Sequence, residues 1–263
     1  AMFAYSGMNQ PLDDWDVSSV VNMDCMFCYN TSFNQDLTSW CVTNISSPAE
    51  SFNLSSSLLD ENLPIWGQCG EIELGTNGVT IIANDNAVVG ESYRLSNDGD
   101  SYKVVDESML REMVANDEDV TKVVTTRVTN MNNLFMEKAL FNQDIKSWDV
   151  STVTNMGSMF RAASSFNQDI SEWNVINVQS MSQMFMGTIF TGDISDWNVS
   201  NVIDMEETFR DSFFNQSIDN WDVSSVTNMH KMFQNSFFNQ SIDNWDVSSV
   251  TNMQSMFQSS EFN

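Results

Sequence analysis

Residues 212–229 read SFFNQSIDNWDVSSVTNM, and residues 236–253 repeat them letter for letter, 24 positions later. Working outward, Trp15, Trp40, Trp148, Trp173, Trp197, Trp221 and Trp245 recur within their blocks at intervals of 24 or 25. One template runs around each of them: F-N-Q-x-I-x-x-W-x-V-x-x-V-T-N-M-x-x-M-F. Self-similarity at a fixed period of this size is the mark of a repeat architecture. Within the template, I-x-x-W-x-V places Trp and Val on one face of an extended segment, with the residue between them on the other. The period then changes. Met156, Met159 and Phe160 stand at i, i+3 and i+4, the stripe of a helical turn. A coil this short cannot bury its own apolar face, so neighbours must stack and share a continuous core. The reading predicts an α/β solenoid with a parallel β-sheet along one side and short helical turns along the other. In it Trp, Met and Phe are scaffold rather than a ligand surface.

The order I-x-x-W-x-V, then S-x-V-T-N-M-x-x-M-F, resembles the strand and following turn of leucine-rich repeats. It is most similar to the BspA-like surface-protein repeats, in their roughly 25-residue Trp/Met/Phe variant. The resemblance covers residues 1–70 and 123–263. It implies right-handed leucine-rich-repeat-like coils and a role in adhesion or cell-surface architecture, and it carries over no catalytic residues.

Two arrays are expected. The first, residues 1–70, degenerates after Trp40 and ends near Gly67 and Gly70. Residues 71–122 contain no repeat. A β element with a hairpin tipped by Asn97, Asp98, Gly99 and Asp100 is expected there, followed by a short amphipathic helix over residues 106–116 capped by Asp106 or Ser108. A hairpin and helix placed before a first coil would shield a solenoid end. Residues 71–122 are therefore read as a cap for the second array that also abuts the first. The second array, residues 123–263, opens with a coil lacking its Trp. The chain opens and closes inside repeats, so each array is expected to continue in sequence or to stack on a further copy.

Charge narrows the partners. With 36 Asp and Glu against 10 Lys and Arg, the net charge is −26. Affinity for phosphate backbones and anionic lipid comes from Lys and Arg, which argues against nucleic acid. No apolar run approaches the ~20 residues of a membrane span, so no membrane insertion is expected. The partners left are an extracellular glycan or protein, further copies of the chain, or cations. Cys25, Cys28, Cys41 and Cys69 lie in the first quarter without a second pair at zinc spacing, so disulfides and an oxidising compartment are expected. Six N-x-S/T sequons, at Asn30, Asn44, Asn53, Asn198, Asn215 and Asn239, are glycosylation candidates and agree with an extracellular or cell-surface location.

Candidate sites fall on the outward positions. The residue after each Trp gives a ligand-binding column of Asp149, Asn174, Asn198, Asp222 and Asp246. Asp144, Asp169 and Asp193, four before Trp, and Asp219 and Asp243, two before it, are calcium candidates, because like charges one interstrand spacing apart repel unless neutralised. The solvated acidic face is the alternative. Asn22, Asn130, Asn155, Asn228 and Asn252, each before a template Met, are assigned to turn backbone groups. Catalysis has no constellation to rest on: His230 is the only histidine, and it falls on a repeat turn where its siblings are Gln or Gly. The sequence thus reads as a non-enzymatic scaffold for adhesion or ligand binding. Its alternative is a subunit of a filament or coat built by end-to-end stacking, with calcium as a candidate cofactor.

Overall fold

A computed structural model describes residues 1–12, 15–67, 71–95 and 100–263. The chain divides into two compact units, Ala1–Leu74 with Ile82–Lys103, and Gly75–Ile81 with Val104–Asn263. The non-repeat stretch 71–122 therefore does not group as one body. Its regular elements are β1 (Ile72–Leu74), β2 (Ile81–Ala83), β3 (Ser92–Arg94), β4 (Ser101–Asp106) and α1 (Glu107–Ala115); β5 (Val123–Arg127) follows. β1 pairs with β2, and β3, β4 and β5 form a three-stranded sheet in that order. β3 and β4 run antiparallel with Tyr93 opposite Tyr102, so the expected hairpin forms; residues 96–99 at its tip lie outside the described residues. Asp106 is the cap of α1, its carboxylate accepting the Met109 N–H at 2.8 Å.

In the second unit, α1 buries Leu110 and Val114 in the same core as Phe135, Trp148 and the coils beyond. Arg111 reaches the first coil, donating from Nη1 to the Asn132 carbonyl (3.0 Å) and from Nη2 to the Asn130 carbonyl (3.1 Å). In later coils the equivalent carbonyls, such as Asn155 and Gly157, accept N–H groups from the coil before. One guanidinium thus satisfies acceptors that the first coil would otherwise leave open.

Each coil lays its side chains on those of the next. Trp148, Trp173 and Trp197 stack with 6.4 Å between ring centroids and 6° or less between planes. Phe135, Phe160, Phe185, Phe209 and Phe233 stack at 5.5–5.8 Å. In the second unit the indole N–H of Trp173, Trp197, Trp221 and Trp245 donates to a carbonyl of the preceding coil, as Trp197 does to Ile170 at 3.1 Å. A buried ring with a polar edge needs such a partner. The first unit repeats the pattern in a smaller core around Phe27, Phe33, Leu37 and Trp40.

The local backbone differs from expectation in two places. I-x-x-W is not a strand but a turn, closed by Trp148 N–H to Ile145 C=O (3.2 Å), and V-x-x-V closes another, Val153 N–H to Val150 C=O (2.9 Å). Burial still alternates, with Trp173 and Val175 inside and Asn174 outside. M-x-x-M-F is not a helical turn either. Met156, Ser158, Phe160 and Ala162 donate forward to the carbonyls of Ser180, Ser182, Met184 and Met186, while Met159, Arg161 and Ala163 close i→i+3 turns. The Gly157 N–H goes to the Asn155 side chain (2.8 Å). Every N–H from Met156 to Ala163 is therefore used. Parallel bridges join Asn130, Asn155, Ser180, Asp204, Asn228 and Asn252 in succession. In the second unit the cross-coil bridges thus run through the segment that leads into Met-Phe.

Left-handed residues produce this ribbon. Ser158 (φ 54°) and Ala162 (φ 57°) recur as Gln183 and Gly187, Glu207 and Asp211, and Lys231 and Asn235. A left-handed residue every fourth position stops the turns from winding into a helix and aims alternate N–H groups at the next coil. Non-glycine residues pay about 1–2 kcal/mol each for it. None of these positions holds a β-branched residue, for which the conformation is hardest to reach.

Candidate functional site

The columns after and before Trp are places where the chain bonds to itself. Ser151, Ser200, Ser224 and Ser248 donate backbone N–H groups to the side chains of Asp149, Asn198, Asp222 and Asp246, two residues earlier, at 2.9–3.2 Å; Ile176 does the same to Asn174 at 3.3 Å. Asp149, expected on the outer face, is 3% exposed and is not available as a ligand contact. Asn174, Asn198, Asp222 and Asp246 are exposed. Asp144, Asp169 and Asp193 likewise accept the N–H of Lys146, Ser171 and Ser195 at 3.0–3.1 Å. Asp219 accepts from Asn244 of the next coil. Among the described residues no three of these five carboxylates bring ligand atoms within 4.8 Å of one another.

The same hydrogen bonds tune the acids. Bonds from Ser18, Thr121, Ser171, Ser195, Ser224 and Ser248 hold the carboxyls of Asp16, Asp119, Asp169, Asp193, Asp222 and Asp246 below their ordinary value of 3.8. The next carboxylate along pushes back, Asp193 on Asp169 and Asp246 on Asp222. A carboxyl lowered on folding contributes stability above its unfolded pKa and loses it as pH falls through the folded one. The urea midpoint is therefore expected to decline below about pH 4. Asp169→Asn with Asp193→Asn, which remove the titrating groups while keeping an acceptor for the turn N–H, should flatten that decline, and an unchanged slope would refute these carboxyls as its source.

The asparagines before Met serve turns as expected: Asn130, Asn155, Asn228 and Asn252 each accept the backbone N–H two residues on. Asn30 overturns one glycosylation candidate. It is fully buried, with Nδ2 donating to Ser6 and Met8 and Oδ1 accepting from Ser32 and Phe33. Asn44, Asn198, Asn215 and Asn239 are exposed and Asn53 is half-buried. Cys25 and Cys28 form a disulfide, Cys41 is also disulfide-bonded, and Cys69 lies outside the described residues.

The sequence reading missed a concave surface of about 670 Å3 in the second unit. Asn177, Gln179, Asn201, Ser225, Thr227 and Ser249 form its wall with Ile203 and Ser224, and among the described residues no charged side chain lines it. The Nδ2 groups of Asn177 and Asn201 tie back to the carbonyls of Ser151 and Ile176, which fixes both amides in place. The signal was present at the template positions on either side of the second Val, which are neutral in every coil from Thr152 and Thr154 onward, after Arg127 in the first. A second concavity, about 450 Å3, lies beside the end of α1 against Val114, Val120, Leu140 and Phe141.

Sequence reasoning also left unread a charged cluster across two coils, in which Glu206 Oε1 lies 3.0 Å from His230 Nδ1. Burial raises the Glu207 carboxyl, but hydrogen bonds from Arg210 and Gln183 and the charges of Arg210 and Lys231 outweigh it and hold it low. The signal was the period itself: 24 residues set Glu206 and Glu207 beside His230 and Lys231.

Coils of 24–25 residues on a constant aromatic core make this a tandem-repeat protein. Residues 1–70, 107–213 and 188–263 match the family described as Mycoplasma protein of unknown function, DUF285, and the chain belongs to that family. No curated protein and no solved structure matches it. Among the described residues no helix is long and apolar enough to cross a membrane.

Proposed function

We propose that the chain is a non-enzymatic, leucine-rich-repeat-like solenoid of the BspA-like kind that binds glycans at a cell surface. The observation that carries this reading is the uncharged groove of Asn177, Gln179, Asn201, Ser225 and Ser249. On a chain of net charge −26, a concave wall of amides and hydroxyls without a carboxylate is set apart from the rest of the sequence. Amides and hydroxyls both donate and accept, which suits the dense hydroxyl pattern of a neutral sugar. Repetition across coils spaces the same groups about 4.8 Å apart, so an extended oligosaccharide meets them in series. The oxidised cysteines fit an extracellular setting.

The test is a screen of neutral oligosaccharides, followed by calorimetry on whatever binds. Gln179→Ala with Asn201→Ala should weaken a true ligand about tenfold, since hydrogen bonds of about 0.5–1.5 kcal/mol each are lost. Binding that ignores the double variant, or no binding to any neutral glycan, would sink the reading.

A further inference from the structure

At two adjacent register positions the second array carries Gly157 and Ser158, Ser182 and Gln183, Glu206 and Glu207, His230 and Lys231, then Gln254 and Ser255. Ionisable side chains enter these columns in only two coils, and those two coils are neighbours. Glu206, Glu207 and His230 each present a donor atom, and the three atoms lie within 4.8 Å of one another. Glu206 and His230 are partly exposed, at 36% and 19% of their side chains, whereas Glu207 is nearly buried.

We propose that Glu206, His230 and Glu207 bind one zinc-class divalent ion. Two tetrahedral zinc ligands at 2.0–2.2 Å sit about 3.3–3.6 Å apart. The 3.0 Å between Glu206 Oε1 and His230 Nδ1 is close to that bite, so the pair needs little movement to chelate. Both carboxylates are already oriented by amides: Asn228 Nδ2 donates to Glu206 Oε2 (3.2 Å) and Gln183 Nε2 to Glu207 Oε2 (2.8 Å). Such outer partners are what hold metal ligands in place.

Charge agrees with a dication. Asp204 shares the Asn228 amide with Glu206, and Asp211 pairs with Arg210. Four carboxylates (Asp204, Glu206, Glu207, Asp211) against two cations (Arg210, Lys231) leave −2 with His230 neutral. An imidazole among few oxygens selects zinc, nickel or copper rather than calcium, which takes six to eight oxygen ligands. Arg210 Nη1, 2.8 Å from Glu207 Oε1, and Lys231 Nζ, 3.6 Å from it, both compete for that carboxylate.

The experiment is a zinc titration of the full chain against a coloured chelator at neutral pH, in a large excess of calcium to occupy the scattered surface acids. Glu206→Ser and His230→Gln are the variants. Each installs a residue that a neighbouring coil already uses at the same position, Ser182 and Gln254, so the fold should persist; circular dichroism verifies it. One tightly held zinc per chain is expected, weakened at least tenfold by either substitution. Lys231→Gln should strengthen it severalfold. No uptake of zinc under these conditions, or uptake unaffected by both substitutions, would overturn the proposal and leave the cluster as an ion-pair ladder between coils.

Discussion

Trp197→Ala is expected to cost the second array about 3–5 kcal/mol, the usual range for deleting a fully packed large aromatic. Trp197 is 3% exposed, stacks on Trp173 at 6.4 Å, and packs against Phe185 with 6.3 Å between centroids. Its indole N–H donates to the Ile170 carbonyl, which also accepts the Trp173 N–H at 3.2 Å, so alanine opens a cavity and removes one of that acceptor's two bonds. The loss is not confined to one coil. Each coil is stabilised by its two neighbours, so a defect in the middle uncouples the stretches on either side. Urea unfolding followed by far-ultraviolet circular dichroism should show a lower midpoint, and a shallower slope if the halves separate. Trp15, 39% exposed, is the internal control, and Trp15→Ala should cost about 1 kcal/mol or less. Equal costs at the two sites would contradict the stacked core.

Asn30→Ala is expected to destabilise the first unit by about 2–4 kcal/mol, because truncation strands buried donors and acceptors. The Ser32 and Phe33 N–H groups lose their shared acceptor at 3.0 Å, and the Ser6 hydroxyl and Met8 carbonyl lose their donor. Asn30→Asp separates the two halves of this arrangement. It keeps the acceptor but removes the donor and buries a charge, so it should be at least as damaging at neutral pH. The same geometry excludes a glycan. Chain secreted from a glycosylating host should carry carbohydrate on exposed Asn44 or Asn215 and none on Asn30. Carbohydrate found on Asn30 of folded protein would refute its burial.

Which residues face inward is legible in the amino-acid sequence alone, because burial follows the period of apolar side chains. Met156, Met159 and Phe160 are all fully buried, as the i, i+3, i+4 stripe predicts. The burial of Asp149 is not legible there. Its siblings Asn174, Asp222 and Asp246 are exposed, so a place in the column does not by itself set burial. Asn30 fails as a sequon for a related reason, since a three-residue pattern carries no information about burial. The groove and the Glu206–His230 pair are latent in the period but emerge only when equivalent positions in successive coils are compared side by side. Reading one coil at a time hides them.

The sequence by itself determined the repeat length and the aromatic and methionine core, and narrowed the cap of α1 to Asp106 or Ser108. These follow from composition and spacing, because burying apolar surface is a non-directional effect that a periodic pattern records. Only the tertiary structure decided the backbone path. A stripe at i, i+3 and i+4 suits a helical turn and a ribbon of linked turns equally well, since both bring the same side chains to one face. The ribbon costs about 1–2 kcal/mol at each left-handed residue. Stacking supplies the compensation: Met156, Ser158, Phe160 and Ala162 donate to the next coil, bonds that do not exist until that coil is in place. A hydrogen bond between residues 24 positions apart leaves no trace in the local sequence that makes it.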